Sequence, residues 1–502
     1  MTEVRTTAGL VRGAGEAGLA VFRGIPFAEP PVGALRFAAP QPVRDWDGVR
    51  EAVSYGPPPP QPGVFGMDAL AGETPGEDWL TVNVFTPDIG ADLPVMVWIQ
   101  GGAYTIGMAS LPEFDGTRLA REGGVVVVTF NYRVGFEGFG QIEGAPGNRG
   151  LLDQLAALEW VRDNIRAFGG NPDQVTIFGQ SAGGGSVAAL LAMPRGRGLF
   201  RRAIAQSVPG TFFSPGLATD IAAVCAAELG LRPTVADLST VDPAGLAPVG
   251  DTVIAKIGQW ADRWGQAAHK LIPFAPVVDG DLLPVTPWQA LAEGAGRDVE
   301  LIAGHVRHED RLLALVHGLL GQVTEEQAAT ALTHFAPGPD GPARYRESYP
   351  AAGPDELYDL VNSDWLFRMP SLRLAHAQTV GGGRAHLYEL TWPAPGMDGL
   401  LGACHGLDVP LVFGTLEQGQ PAMLLGGELS EAEPLSARMR AAWTNFATHG
   451  DPGWPAYDPE QRLTQVFDAE PTVTAYPEEV SRLIWQHHTF APLPLLAGEP
   501  GR

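Results

Sequence analysis

The chain has 502 residues, a formal net charge of −24 and 45% hydrophobic residues. An apolar fraction in the globular range excludes a wholly disordered protein, and a chain of this length can bury a large core. A strongly acidic surface repels phosphate backbones, so the composition argues against a nucleic-acid-binding protein.

Strand and helix signals alternate through the N-terminal half of the chain. The predicted strands are short apolar runs at 94–100, 125–132, 174–179, 203–208, 300–306 and 386–392. Apolar residues at helical spacing predict helices over 149–168 and 186–193. This alternation predicts an α/β protein with a largely parallel sheet and helices on both faces. We expect one domain over 1–502, with helical insertions at 211–270 and 311–380.

A serine lies at the turn between the strand at 174–179 and the helix that follows it. The motif is GQSAG, with Ser181 at its centre and Gly179 and Gly183 on either side. It fits the G-x-S-x-G pattern of a nucleophile elbow, in which the turn is so tight that larger flanking side chains would clash. A chance match is the alternative for a glycine-rich chain, but the strand before the motif and the helix after it favour a nucleophile.

A second glycine-rich turn, QGGAY at 100–104, directly follows the strand at 94–100. It resembles the loops of esterases whose backbone N–H groups bind the oxyanion of the tetrahedral intermediate. An ordinary glycine turn is the alternative reading.

Taken together, these motifs resemble the type-B carboxylesterases, which include bacterial para-nitrobenzyl esterases and cholinesterases. The similar segments occupy 22–37, 77–87, 95–104, 131–140, 147–184, 199–207, 273–284, 402–414 and 443–457. The resemblance implies the α/β-hydrolase fold, a large and mostly parallel central sheet flanked by helices, with the helical insertions forming an active-site gorge. It also implies a small-molecule ester substrate and a serine hydrolase that needs neither metal nor cofactor.

The resemblance supplies the other catalytic residues. Glu309 stands at the place of the family's catalytic acid and His405 at that of its histidine, in the order nucleophile, acid, base that is typical of α/β-hydrolases. By the same resemblance, the oxyanion donors are the N–H groups of Gly102, Ala103 and Ala182. Gln180 and Ser207 would pack against the triad residues and support them without contacting the substrate. Side chains near the acyl pocket would be Tyr104, Ile272, Leu312 and Leu313.

Two rival readings concern residues beside the expected triad. His305, His308, Glu309 and Asp310 are close enough in sequence to suggest a metal site, but their order matches no usual zinc motif. Cys404 precedes His405 and could be a nucleophile, although a small buried side chain is the simpler explanation.

The chain departs from the family at several positions near the site. Gln180 replaces the usual glutamate before the serine, and Gln100 replaces the histidine that bacterial members carry before the glycine pair. His308 replaces an aspartate, and Asp310 follows Glu309 where glycine is common. The glutamines are the only support for an alternative function, a non-hydrolytic or acyl-transferring biosynthetic enzyme. The leading hypothesis is a serine carboxylesterase for short- to medium-chain or aryl esters.

The apolar runs and the cysteines indicate in which cellular compartment the protein is expected. The longest apolar runs fall far short of the ~20 residues that a membrane-spanning helix needs, and the N-terminus has no signal-peptide pattern. Two cysteines, Cys225 and Cys404, cannot form a disulfide framework. Trp79 stands where secreted animal relatives carry a disulfide-forming cysteine. We expect a cytoplasmic protein, monomeric by default.

Overall fold

A mixed sheet of thirteen strands organises the residues that the computed structural model describes, 1–62, 76–427 and 429–496. The strands are β1 (Thr2–Arg5), β2 (Leu10–Glu16), β3 (Leu19–Pro26), β4 (Val49–Glu51), β5 (Thr81–Thr86), β6 (Leu93–Ile99), β7 (Val126–Phe130), β8 (Gly170–Gln180), β9 (Arg202–Gln206), β10 (Glu300–Val306), β11 (Ala385–Leu390), β12 (Leu463–Phe467) and β13 (Thr472–Ala475). Their order is β1-β2-β3-β5-β7-β6-β8-β9-β10-β11-β12-β13, with β4 paired to β2.

The centre of this sheet is parallel and its edges are antiparallel. Strands β7, β6, β8, β9, β10, β11 and β12 pair in parallel with one another in that order. On the path through the sheet, β1, β2, β3, β5 and β13 join by antiparallel pairing, and β4 pairs in parallel with β2. Apolar side chains of the central strands enter two buried clusters, as expected for a sheet covered on both faces. The predicted α/β-hydrolase fold class is confirmed, and each predicted strand overlaps an observed one.

Helices cover the sheet and fill both regions predicted as insertions. They are α1 (Thr117–Gly123), α2 (Gly135–Phe139), α3 (Arg149–Asn164), α4 (Ala182–Ala192), α5 (Pro215–Glu228), α6 (Val235–Leu238), α7 (Pro243–Leu246), α8 (Val249–Ile254), α9 (Ala261–Trp264), α10 (Gln266–His269), α11 (Pro287–Ala292), α12 (Glu309–Val316), α13 (Glu325–Phe335), α14 (Gly341–Ser348), α15 (Pro354–Ser363), α16 (Met369–Val380), α17 (Asp408–Phe413), α18 (Gly419–Leu425), α19 (Ala432–His449) and α20 (Glu479–Ile484). A π-helical turn, Asp364–Arg368, joins α15 to α16.

The start of helix α4 differs from the sequence prediction. The apolar spacing predicts a helix from residue 186, but α4 begins at Ala182, directly after the serine. Three glycines at 183–185 have low helix propensity, yet they allow close packing. A Cβ on Gly183 would lie 2.0 Å from the carbonyl oxygen of Ile99, and one on Gly184 would lie 2.4 Å from that of Gln206. Tertiary packing therefore overrides propensity here.

No helix within the described residues is long and apolar enough to cross a membrane.

Candidate active site

Ser181 lies at a sharp turn between β8 and α4. Its backbone has φ 60° and ψ −126°, a conformation that a non-glycine residue adopts only when the surrounding structure enforces it. The enforcement comes from Gly183, whose close contact with the end of β6 leaves no room for a side chain. The turn leaves Ser181 partly exposed while the residues of α4 are buried. This is the geometry of a nucleophile elbow.

The glycine-rich loop after β6 packs directly against this turn. A Cβ on Gly101 would lie 3.1 Å from Cβ of Ser181, and Gly102 and Ala103 have φ values of 122° and 54°. The N–H groups of Gly102, Ala103 and Ala182 donate to no acceptor among the described residues. Unused amide donors beside a serine can bind a developing oxyanion.

Glu309 and His405 meet in the loops that follow β10 and β11. The imidazole Nδ1 donates to Glu309 Oε2 at 2.5 Å, and Glu309 Oε1 accepts from the N–H of Val306 at 3.0 Å. Glu309 is fully buried and begins helix α12, where the helix dipole favours its negative charge. A short charge-assisted hydrogen bond of this kind fixes the imidazole tautomer and leaves Nε2 as the basic nitrogen.

Two further side chains contact the imidazole of His405. The amide nitrogen of Gln180 lies 3.1 Å from Nε2 and 3.4 Å from Nδ1. The ring of Phe367, from the π-helical turn, stacks on the imidazole with centroids 4.2 Å apart and an interplanar angle of 27°. No hydrogen bond joins Ser181 Oγ to His405 in the described structure; such bonds are often long without substrate and tighten in the reactive complex.

The other predicted residues beside the triad are buried. Ser207 has φ 50°, its N–H donates to the carbonyl oxygen of Gly304, and its hydroxyl meets no partner among the described residues. The Tyr104 side chain is 3% exposed and packs against Phe139 with ring centroids 4.8 Å apart. Gln100 is also buried, and both of its amide atoms lack a hydrogen-bond partner in the described part of the chain.

The three aliphatic residues predicted near the acyl pocket are half-buried. Ile272 and Leu313 pack against one apolar cluster and Leu312 against the other. Leu312 and Leu313 follow Glu309 by three and four positions on α12, which places them on the same side of that helix as the carboxylate.

The residues behind the two rival hypotheses have other contacts. His305 Nε2 lies 2.9 Å from the hydroxyl of Tyr476, while Asp310 forms an ion pair with Lys270. No group of three or more ligand-type side chains among the described residues could hold a metal ion. Burial raises the pKa of the Cys404 thiol to about 12, so the thiolate needed for nucleophilic attack is scarce.

Sequence reasoning missed two residues at this site, Phe367 and Lys270. Phe367 gave no signal because a lone aromatic in a helical segment is indistinguishable from a core residue. Lys270 is one of only two lysines in the chain and is 9% exposed. It donates to Asn362 Oδ1 at 2.7 Å and pairs with Asp310. Burial raises the pKa of the Asp310 carboxyl to about 6, an effect that Lys270 opposes.

Comparison with known proteins identifies the family. The family model described as "Carboxylesterase family" matches residues 1–482. The chain belongs to the carboxylesterase family. Para-nitrobenzyl esterase of Bacillus subtilis is 37% identical to this carboxylesterase, over 95% of this chain and 97% of the relative. Acetylcholinesterase of Bungarus fasciatus is 32% identical, over 94% and 84% of the two chains.

Solved structures agree with this assignment. A carboxylesterase of Geobacillus stearothermophilus, solved at pH 6.2, superposes with a TM-score of 0.85 at 35% identity and covers 97% of this chain and 100% of its own. The predicted family is confirmed, and the protein is a carboxylic-ester hydrolase of the serine carboxylesterase family.

Proposed function

We propose that this carboxylesterase hydrolyses uncharged short- to medium-chain or aryl esters through an acyl-enzyme on Ser181. The observation that carries the proposal is the Glu309–His405 pair at 2.5 Å. His405 contacts Gln180, which directly precedes the strained, partly exposed Ser181. A serine hydroxyl needs a neighbouring base to become nucleophilic, and this arrangement provides one.

The steps follow from the positions of the groups. Ser181 Oγ attacks the ester carbonyl carbon while its proton passes to His405 Nε2, and Glu309 stabilises the imidazolium. The tetrahedral oxyanion accepts hydrogen bonds from the N–H groups of Gly102, Ala103 and Ala182. Collapse of the intermediate breaks the C–O bond to the alcohol, which leaves with the proton from His405. Water then attacks the acyl-enzyme by the same route and releases the acid.

Substrate range is inferred from the lining side chains. Ile272, Leu312 and Leu313 are aliphatic and half-buried, which suits apolar acyl or aryl groups. Such a pocket discriminates by size at about 1 to 3 kcal/mol per methylene. We therefore expect a broad preference rather than a single substrate.

The test is hydrolysis of p-nitrophenyl esters from acetate to laurate, by the wild type and by Ser181→Ala. The proposal predicts turnover that peaks at short or medium chains and falls by at least about 10³-fold in the variant. Turnover confined to long esters would indicate a lipase. Folded wild-type protein without serine-dependent hydrolysis would reject the proposal, and acyl transfer to an added alcohol would then be assayed.

We further infer a cytoplasmic monomer. The compartment is supported by Cys225 and Cys404, which are both buried and unpaired, as is usual in a reducing compartment; the monomer is the default expectation. Light scattering after size-exclusion chromatography tests the oligomeric state, and fractionation of the native host tests the compartment.

A further inference from the structure

We propose that His308 is a positioning residue that joins the loop carrying Glu309 to the loop carrying His405. The inference rests on the proposed triad and adds to it a residue that touches neither the substrate nor the reacting atoms. Its partner is Ala403, with which it exchanges two hydrogen bonds.

The two hydrogen bonds run in opposite directions. The backbone N–H of His308 donates to the carbonyl oxygen of Ala403 at 2.9 Å, and the N–H of Ala403 donates to His308 Nδ1 at 3.2 Å. The same contact makes a parallel bridge between His308 and Cys404. Glu309 and His405 each follow a bridged residue by one position, so the bridge sets the two catalytic side chains opposite each other.

The loop before His405 is shaped around the imidazole of His308. Gly402 has φ 58°, and a Cβ there would lie 2.4 Å from His308 Nδ1 and 3.0 Å from Arg311 Nη1. Only glycine allows both the left-handed backbone and the approach of the ring. Two separate segments of the chain therefore meet with matched shapes at this point.

The hydrogen-bond pattern also fixes the protonation state of His308. Because Nδ1 accepts from an N–H group, the ring is neutral with its proton on Nε2. Burial and the nearby cations of Arg311, Arg368 and Arg307 lower the pKa of His308 to about 3, with Glu478 opposing them. The acceptor consequently persists across the pH range in which an esterase works.

Loss of the contact should affect the chemistry more than substrate binding. The Glu309–His405 hydrogen bond is 2.5 Å long and depends on the relative placement of the two loops. A displacement of about 1 Å in a catalytic group can lower the rate about 10²-fold. Neither His308 nor Ala403 is among the proposed substrate contacts, so KM should change little.

The experiment compares three substitutions in the full chain, His308→Ala, His308→Asn and His308→Gln, on p-nitrophenyl butyrate. Asparagine can place its oxygen where Nδ1 lies, whereas glutamine places its oxygen nearer the position of Nε2. We expect His308→Ala to lower kcat about 10- to 100-fold with KM within about twofold. His308→Asn should recover kcat to within about threefold of wild type, and His308→Gln should resemble His308→Ala.

Thermal unfolding of each variant separates positioning from stability. If His308→Ala does not fold, the comparison of asparagine with glutamine decides the question. Three outcomes would each overturn the inference. They are equal kcat for the asparagine and glutamine variants, kcat of all three variants within about twofold of wild type, and failure of both polar variants to fold. Wild-type protein without serine-dependent activity would reject the proposed function itself, whereas serine-dependent activity indifferent to residue 308 would reject this inference alone.

Discussion

The replacement Gln180→Glu tests how this carboxylesterase tunes its histidine. The amide nitrogen of Gln180 lies 3.1 Å from His405 Nε2 and can donate to that nitrogen only while the imidazole is neutral there. A carboxylate at the same place would accept from Nε2–H and favour the imidazolium. Since the base must be neutral to take the serine proton, the variant should need a higher pH for full activity.

The size of the effect follows from the distance and the burial. Gln180 and His405 are 6% and 8% exposed. At 3.1 Å, a unit charge pair contributes about 1.3 kcal/mol in water and about 5 kcal/mol at an effective dielectric constant of 20. The new carboxylate also loses hydration and is repelled by Glu309, so the net effect lies toward the lower value. With 1.36 kcal/mol per pH unit, we expect a shift of about 1 to 2 units.

The assay is kcat/KM from pH 5 to 9 for a neutral p-nitrophenyl ester and a quaternary-ammonium ester of similar size. Gln180→Glu should move the acidic limb to higher pH by about 1 to 2 units and raise the preference for the cationic ester about tenfold, because one buried negative charge is added. Gln180→Met, which is similar in size and uncharged, is the control: it removes only the amide donor, so it should move the acidic limb less than Gln180→Glu does and leave the ester preference near wild type. An unchanged acidic limb together with an unchanged preference would refute the reasoning.

Three further substitutions test other parts of the site. Lys270→Met should lower the free energy of unfolding by about 3 to 5 kcal/mol in urea titration, because it leaves a buried carboxylate unpaired; adding Asp310→Leu should restore most of the loss. Gly183→Ala should destabilise the fold by more than about 3 kcal/mol because its Cβ meets a backbone oxygen, whereas Gly258→Ala, which meets no atom within 4 Å, should stay within about 0.5 kcal/mol of wild type. Cys404→Ala should keep kcat within about threefold of wild type, since burial raises the pKa of its thiol and leaves little thiolate; a loss as large as that of a serine knockout would contradict this.

Much of this protein could be predicted from local signals. Strands β6, β7 and β10 and residues 175–179 of β8 are mostly apolar on both faces, and such runs are recognisable without knowledge of their neighbours. Ser181 can likewise be predicted as a nucleophile from local sequence, because a nucleophile elbow needs glycines at fixed offsets within one strand–turn–helix unit. Glu309 and His405 are 96 residues apart, so their pairing was predicted from the family resemblance and not from any spacing.

The sequence by itself determined the strand and helix pattern and the family, and it supplied the proposal that Ser181 is the nucleophile, because these depend on periodicity and on motifs contained in short segments. Only the tertiary structure showed that Phe367, which is distant along the chain, stacks on the imidazole of His405. It also paired Lys270 with Asp310 and set His308 against Ala403. Such contacts arise where separate loops converge at the carboxyl ends of parallel strands, and the local sequence does not show which loops will meet.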